Sequence, residues 1–129
     1  MKEKTIRVLK VEPGNIPYVI TLNNDLDSLQ KAVSIGCEHQ GLIEIIDIAD
    51  NVAILCNEEG KLLGLEGNRR LGNDIIAGVF YVVGTDDEGN ICSLTVEQIK
   101  QYGNMFFVPE DITQDEISDS IIFEIIDFS

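Results

Sequence analysis

Residues 56–70, CNEEGKLLGLEGNRR, concentrate the side chains of this sequence that could bind an anion. The stretch holds three of the nine basic residues of the chain, together with three glycines and two asparagines. Free backbone N–H groups at the start of a helical turn, with a lysine or arginine beside them, bind phosphate and carboxylate groups. The candidate ligand-binding residues are Asn57, Glu58, Lys61, Asn68 and Arg69.

The same stretch can also be explained by turns alone. Glycine and asparagine are the residues that tight turns require, and Gly60 suits the loop of a hairpin. For the anion site, Asn68 would cap a short helical turn, and Arg69 or Lys61 would add positive charge. Under both interpretations Lys61 and Arg69 lie at the surface. Replacing both with alanine is then expected to leave stability unchanged or slightly raised.

No pattern typical of an enzyme or a metal site accompanies these residues. The sequence lacks GxSxG, Walker, HExxH and CxxC motifs, and its only histidine is His39. Cys37 lies two residues before His39, but nothing in the pattern positions them as a catalytic pair. The sequence predicts a protein without catalytic residues, metal or cofactor.

The charge of the chain is strongly negative and unevenly distributed. The formal net charge is −14, and residues 86–129 carry eleven acidic and one basic side chain. Such a surface repels a phosphate backbone, which argues against nucleic-acid binding. It could instead bind a basic partner protein.

The elements that must position these residues follow from periodicity. Strands are predicted where β-branched residues alternate or cluster, and helices where apolar residues recur every three to four positions. The predicted strands are 5–12, 18–22, 41–49, 51–57, 75–84 and 91–94, and the predicted helices are 25–35 and 95–103. Asn24 or Asp25 can cap the first helix, and Thr95 with Gln98 has the spacing of a capping box for the second. Residues 66–74 are predicted to be an irregular connection, and 75–84 to be the buried central strand. This pattern indicates a single α+β domain with a mainly antiparallel sheet of five to seven strands and two short helices.

The sequence divides at residue 103. Residues 1–103 form the predicted core domain, and residues 104–129 form an acidic extension that packs on the core or on a partner. Its end, IIFEIIDF at 121–128, is apolar enough to bind a protein partner or a second copy of the chain. No run reaches the roughly 18 apolar residues of a membrane span, and the start of the chain does not resemble a signal peptide. We therefore expect no membrane association and a cytoplasmic location.

Three motifs resemble those of a family of small proteins classed as a domain of unknown function. They are VEPG near the start, NEEGK followed by NR, and LTVEQI before the second helix. The residues that carry the pattern are Glu12, Pro13, Gly14, Asn57, Glu58, Gly60, Lys61, Asn68 and Arg69. The resemblance covers about residues 5–103 and implies a phage, a conjugative plasmid or a Gram-positive bacterial genome, but no activity.

Together these observations predict a non-enzymatic accessory protein of a phage or mobile element. It is expected to bind a small anionic ligand through the loops of residues 57–70. Two alternatives stay open at this level: an acidic inhibitor or adaptor that binds a protein, and a structural domain that only dimerises.

Overall fold

The chain folds as an α+β domain in a computed structural model, which describes the backbone of residues 3–128 and the side chains of residues 3–121. The strands are β1 (Thr5–Val11), β2 (Tyr18–Asn23), β3 (Ile43–Ala49), β4 (Val52–Asn57), β5 (Gly67–Leu71), β6 (Asp74–Ala77), β7 (Phe80–Thr85) and β8 (Ile91–Cys92). The helices are α1 (Leu26–Ala32), α2 (Val96–Met105) and α3 (Gln114–Phe128). No helix in the described part of the chain is long and apolar enough to cross a membrane.

The main sheet has six antiparallel strands in the order β2-β1-β7-β4-β3, with β8 paired to one end of β7. Strands β5 and β6 form a separate hairpin. The predicted α+β class and mainly antiparallel sheet are confirmed. The described residues contain eight strands and three helices, and the additional elements are the β5 strand, the separation of β6 from β7, and α3.

The apolar run at 75–84 is divided between the hairpin and the main sheet. β7 is central, as predicted, but Gly78 has a φ of 84° and separates it from β6. A Cβ on Gly78 would lie 2.7 Å from Cδ1 of Leu65. The positive φ favours glycine, and the end of the Leu65 side chain occupies the space that a Cβ would take, so the chain bends here despite an uninterrupted apolar pattern.

The connection predicted at 66–74 is a strand followed by a two-residue turn, so the prediction of irregular structure is wrong. Gly67, Asn68 and Arg69 are buried within β5. Asn68 and Arg69 are polar residues of a kind rarely buried in a strand. Their sequence pattern therefore resembled that of a loop. Their side-chain hydrogen bonds, described below, explain their burial.

Helices α1 and α2 cover opposite faces of the main sheet. Leu29 and Val33 pack on one face, whereas Leu94 and Tyr102 pack on the other. Asp25 caps α1 by accepting a hydrogen bond from the backbone of Ser28, and the capping box predicted for α2 is present. The core therefore consists of two layers separated by the sheet.

The described part of the acidic extension packs against the hairpin. Ile112 and Ile117 are buried with Ile75 and Ala77 in a third apolar cluster. The predicted division at residue 103 falls inside α2. Within 121–128 the backbone is helical, and the partner contact predicted there rests on side chains outside the described residues, apart from Ile121.

Candidate functional site

Arg69 has no exposed surface, and every N–H of its guanidinium has an acceptor in the protein. Nε donates to the carbonyl oxygen of Phe106 at 3.1 Å, and Nη2 donates to the same oxygen at 2.9 Å. Nη2 also donates to the carbonyl of Asn15 at 2.6 Å. Nη1 donates to the carbonyl and to Oδ1 of Asn68, at 3.1 and 2.8 Å. The five donors of an arginine are therefore all used.

Asn68 is equally enclosed and joins the hairpin to the main sheet. Its Nδ2 donates to the carbonyls of Val11 and Gly78, both at 2.8 Å, while its Oδ1 accepts from Arg69. Val11 ends β1, and Gly78 is the bend before β7. The pair at 68 and 69 thus holds together the VEPG turn, the bend and the end of α2.

The charge of Arg69 is held without an ion pair among the described residues. Burial lowers the pKa of its guanidinium, and the field of the Glu110 carboxylate partly opposes that change. Carbonyl oxygens supply the remaining compensation. The expectation that Arg69 lies at the surface is therefore wrong, as is the helical turn at Asn68. In this arrangement neither side chain has a donor left for a ligand.

Asn57 completes the end of helix α1. Its Nδ2 donates to the carbonyl of Val33 at 3.3 Å, and the hydroxyl of Tyr81 donates to the carbonyl of Ala32 at 2.8 Å. The last carbonyls of a helix have no partner within it, so these side chains satisfy groups that would otherwise be buried without donors. Asn57 is 5% exposed and lies within the protein.

Lys61 and Glu58 line a cavity of about 110 Å³ at the end of β4. Lys61 Nζ lies 2.6 Å from Oδ1 of Asp74 and 3.4 Å from the Ser120 hydroxyl. Glu44 also lines the cavity, so the lining includes three carboxylates and one ammonium group. This excess of negative charge favours the binding of a cation over that of an anion, unless a ligand displaces the carboxylates.

Cys56 lies in the same cavity and is a neutral thiol at physiological pH. Burial raises its pKa to about 12, and the carboxylate of Glu44 adds to the increase. A nucleophilic cysteine needs the opposite environment, one that favours the thiolate.

Arg70 faces the opposite way from its neighbour and binds the C-terminal extension. It forms ion pairs with Glu110 at 2.8 Å and with Glu116 at 2.7 Å. These contacts and hydrogen bonds raise the pKa of Arg70. Its partners are therefore carboxylates of the extension.

A groove that the sequence did not predict lies on the α1 side of the sheet, and we call it the α1–β3 groove. Its apolar compartment, of about 560 Å³, is lined by Leu26, Leu29, Leu42, Ile43, Ile45 and Ile91, with Asn24, Gln30, Glu58, Gly89 and Asn90. Leu26, Leu42 and Ile45 are 66%, 61% and 55% exposed. Helix α1 is only seven residues long and leaves this part of the sheet uncovered.

The groove continues into an acidic compartment of about 680 Å³ between β3 and the loop at 86–90. Four carboxylates line it: Asp47, Asp50, Asp86 and Asp87. No lysine or arginine is among the described residues that line it. Asp86 shapes the loop by accepting hydrogen bonds from the backbones of Glu88 and Asn90, and these bonds help to lower its pKa.

The structure therefore separates the five predicted site residues. Asn57, Asn68 and Arg69 are buried and bonded within the fold, while Glu58 and Lys61 line the small cavity and stay candidates for ligand contact. For the acidic compartment a signal was present in the sequence, because aspartates flank both turns that border it. The exposure of Leu26 was not visible there, since its spacing with Leu29 places it on the apolar face of the helix.

No cluster in the described residues has the composition of a metal site. Comparison with known protein families shows that a family model, described as a domain of unknown function (DUF3846), matches residues 6–107. The chain belongs to this DUF3846 family. No match was found among curated proteins or among solved structures. The matched region ends one residue after Phe106, the residue that accepts two hydrogen bonds from Arg69.

Proposed function

We propose that this DUF3846 protein is a non-enzymatic accessory protein of a phage or mobile element that binds a basic surface of another protein in the bacterial cytoplasm. The observation that carries the proposal is that several of its basic side chains are already buried or paired with carboxylates. Arg69 is enclosed, Arg70 is bound by two glutamates, Lys61 lies against Asp74, and Lys31 pairs with Asp27. Four of the nine basic residues are therefore enclosed or paired with carboxylates, which leaves few basic side chains to offset the remaining exposed carboxylates.

The exposed carboxylates support the same function. Asp47, Asp50 and Asp87 are exposed and form no ion pair with the described residues. A protein of net charge −14 attracts cationic surfaces over roughly a Debye length, about 8 Å at physiological ionic strength. Proteins that bind nucleic acids present such cationic surfaces, so an inhibitor or adaptor of one of them fits this charge.

The alternative of a small anionic ligand depends on the Lys61 cavity. Its volume of about 110 Å³ is below the roughly 300–1,000 Å³ of typical small-molecule pockets. An inorganic anion is therefore the ligand class that the cavity could hold, and Lys61 would have to exchange Asp74 for it. We rank this alternative second.

Affinity capture from a lysate of the native host tests the proposed function. The bait is the protein, with a variant in which Asp47, Asp50 and Asp87 are asparagine as its control. We expect wild type to retain a partner with a basic surface, the variant to retain much less of it, and salt to release it. A partner that is acidic, or whose retention is insensitive to both the variant and salt, would contradict the proposal.

A second arm addresses the alternative. Thermal unfolding of wild type is measured with inorganic phosphate, sulfate and a set of nucleotides. Stabilisation by one of these anions, together with no protein partner in the capture experiment, would favour the small-ligand function.

A further inference from the structure

We propose that the α1–β3 groove is the docking site on this protein, and that its occupant is a segment of the partner protein in which apolar residues stand next to lysines or arginines. The inference rests on the proposed function and goes beyond it, because it assigns a surface and a sequence pattern to the interaction. The apolar and acidic compartments are continuous, since Ile45, Gly89 and Ile91 line both.

The size and direction of the groove suit a peptide segment. The two compartments, of about 560 and 680 Å³, each exceed what one side chain needs. Their common wall is β3, which advances about 3.3 Å per residue and therefore extends roughly 20 Å from Ile43 to Ala49. An extended segment of about six residues has this length.

The apolar compartment brings together several exposed hydrophobic side chains. Single exposed leucines are common on protein surfaces, but Leu26, Leu42 and Ile45 converge on one concavity. Contiguous exposed apolar surface with a polar rim is typical of protein interaction sites. This half of the groove selects apolar side chains.

The acidic compartment specifies the charge of the neighbouring residues. Its four aspartates have no cation among the described residues that line the compartment. Their mutual repulsion decreases when a lysine or arginine enters, and a guanidinium can bind a carboxylate through two hydrogen bonds. A second copy of this chain is a poor occupant, because it brings another net charge of −14 to an already acidic surface.

Fluorescence anisotropy with labelled peptides tests the inference. The first peptide has a leucine-rich half followed by an arginine-rich half, and the second has serines in place of the leucines. The groove variants are Ile45→Lys and the double variant Asp47→Asn/Asp87→Asn. The matched controls outside the groove are Leu62→Lys, at a side chain that is 74% exposed, and Glu59→Gln/Glu97→Gln.

We expect the leucine–arginine peptide to bind wild type about tenfold more tightly than the serine–arginine peptide. Each groove variant should weaken binding of the first peptide by about tenfold, whereas the controls should change it by less than about twofold. Circular dichroism of each variant checks that the exposed substitutions leave the fold intact.

The remaining outcomes distinguish a failure of the docking-site proposal from a failure of the proposed function. Equal binding of both peptides, with equal losses in groove and control variants, means diffuse attraction; it overturns the docking site and leaves the proposed function standing. A wild-type dimer in sedimentation that Ile45→Lys dissociates would assign the groove to a second copy and overturn the inference. No binding of either peptide at low salt overturns the docking site and also contradicts attraction to basic partners.

Discussion

The guanidinium of Arg69 donates two hydrogen bonds to the carbonyl oxygen of Phe106, at 3.1 Å from Nε and 2.9 Å from Nη2. This contact joins β5 to the residue that ends α2, 37 positions further along the chain. A buried arginine bound only by neutral acceptors is costly to desolvate, and it persists because each of its donors is satisfied.

Arg69→Ala should therefore destabilise the fold strongly, in contrast to the small effect that the sequence suggested. The substitution leaves the carbonyls of Phe106 and Asn15 without donors, at about 1–3 kcal/mol each, and it also opens a cavity. We expect a loss of about 3 kcal/mol or more in the free energy of unfolding, measured by urea denaturation.

The adjacent arginine provides the control. Arg70→Ala removes ion pairs whose partners Glu110 and Glu116 are accessible to solvent. The free energy of unfolding should therefore decrease clearly less than in Arg69→Ala. Similar losses in the two variants would contradict the distinction between an enclosed and a solvent-exposed arginine.

The sequence predicted the features of the fold that arise from local patterns. The hairpin of β1 and β2, the helix cap at Asp25 and the capping box at Thr95 follow from alternation, turn residues and side-chain acceptors close in sequence. The bend at Gly78 was missed because a glycine within an apolar run gives no sign of the Leu65 side chain that packs against it.

The candidate site was harder to predict, because its residues are defined by contacts distant in sequence. Asn68 and Arg69 stand among glycines and charges, as binding residues do, but their partners lie at Val11, Asn15 and Phe106. Motif residues that hold a fold together and those that bind a ligand look alike in one sequence. The α1–β3 groove depends on how far a short helix covers a sheet, which a sequence pattern does not reveal.

Tyr81→Phe should destabilise the protein by about 1–3 kcal/mol, because the carbonyl of Ala32 at the end of α1 loses its donor. Tyr102→Phe is the matched control, since the Tyr102 hydroxyl makes no hydrogen bond to the described residues and the ring is similarly buried. Thermal unfolding followed by circular dichroism compares the two. An equal decrease in Tm would mean that the hydrogen bond to Ala32 does not contribute.

Ile117→Ala tests whether the C-terminal extension stabilises the core. Ile117 is 1% exposed, and removing its buried methyl and methylene groups should cost about 2–5 kcal/mol. Ile35→Ala, at a residue that is 54% exposed, should cost far less. A single cooperative urea transition with a reduced midpoint is the expected result for Ile117→Ala. An unchanged midpoint would show that the extension does not stabilise the domain.

Alkaline pH should destabilise the protein partly through Cys56. The pKa of this thiol rises from 9.0 to about 12 in the fold, so the folded state retains a proton that the unfolded state releases. The resulting stabilisation is complete below pH 9 and is lost as the pH rises toward 12, amounting to at most about 4 kcal/mol.

Cys56→Ala should therefore flatten the decline in stability between pH 9 and pH 11, whatever its effect at neutral pH. Burial also raises the pKa of Tyr81, so part of the decline should remain. Cys37→Ala is the control for removing a less buried thiol. Urea midpoints measured across this range check the slope, and parallel curves for wild type and Cys56→Ala would contradict the assignment.

Lys61→Met tests whether the small cavity binds an anion. If Lys61 only neutralises Asp74, then phosphate, sulfate and nucleotides should not raise the Tm of wild type, and the variant should lose stability because the Asp74 carboxylate loses this cation. If the cavity binds an anion, wild type should gain Tm with the concentration of that anion, and Lys61→Met should abolish the gain. Met retains the apolar stem of the lysine, so packing changes little and the comparison isolates the ammonium group. The three carboxylates in the cavity lead us to expect the first result.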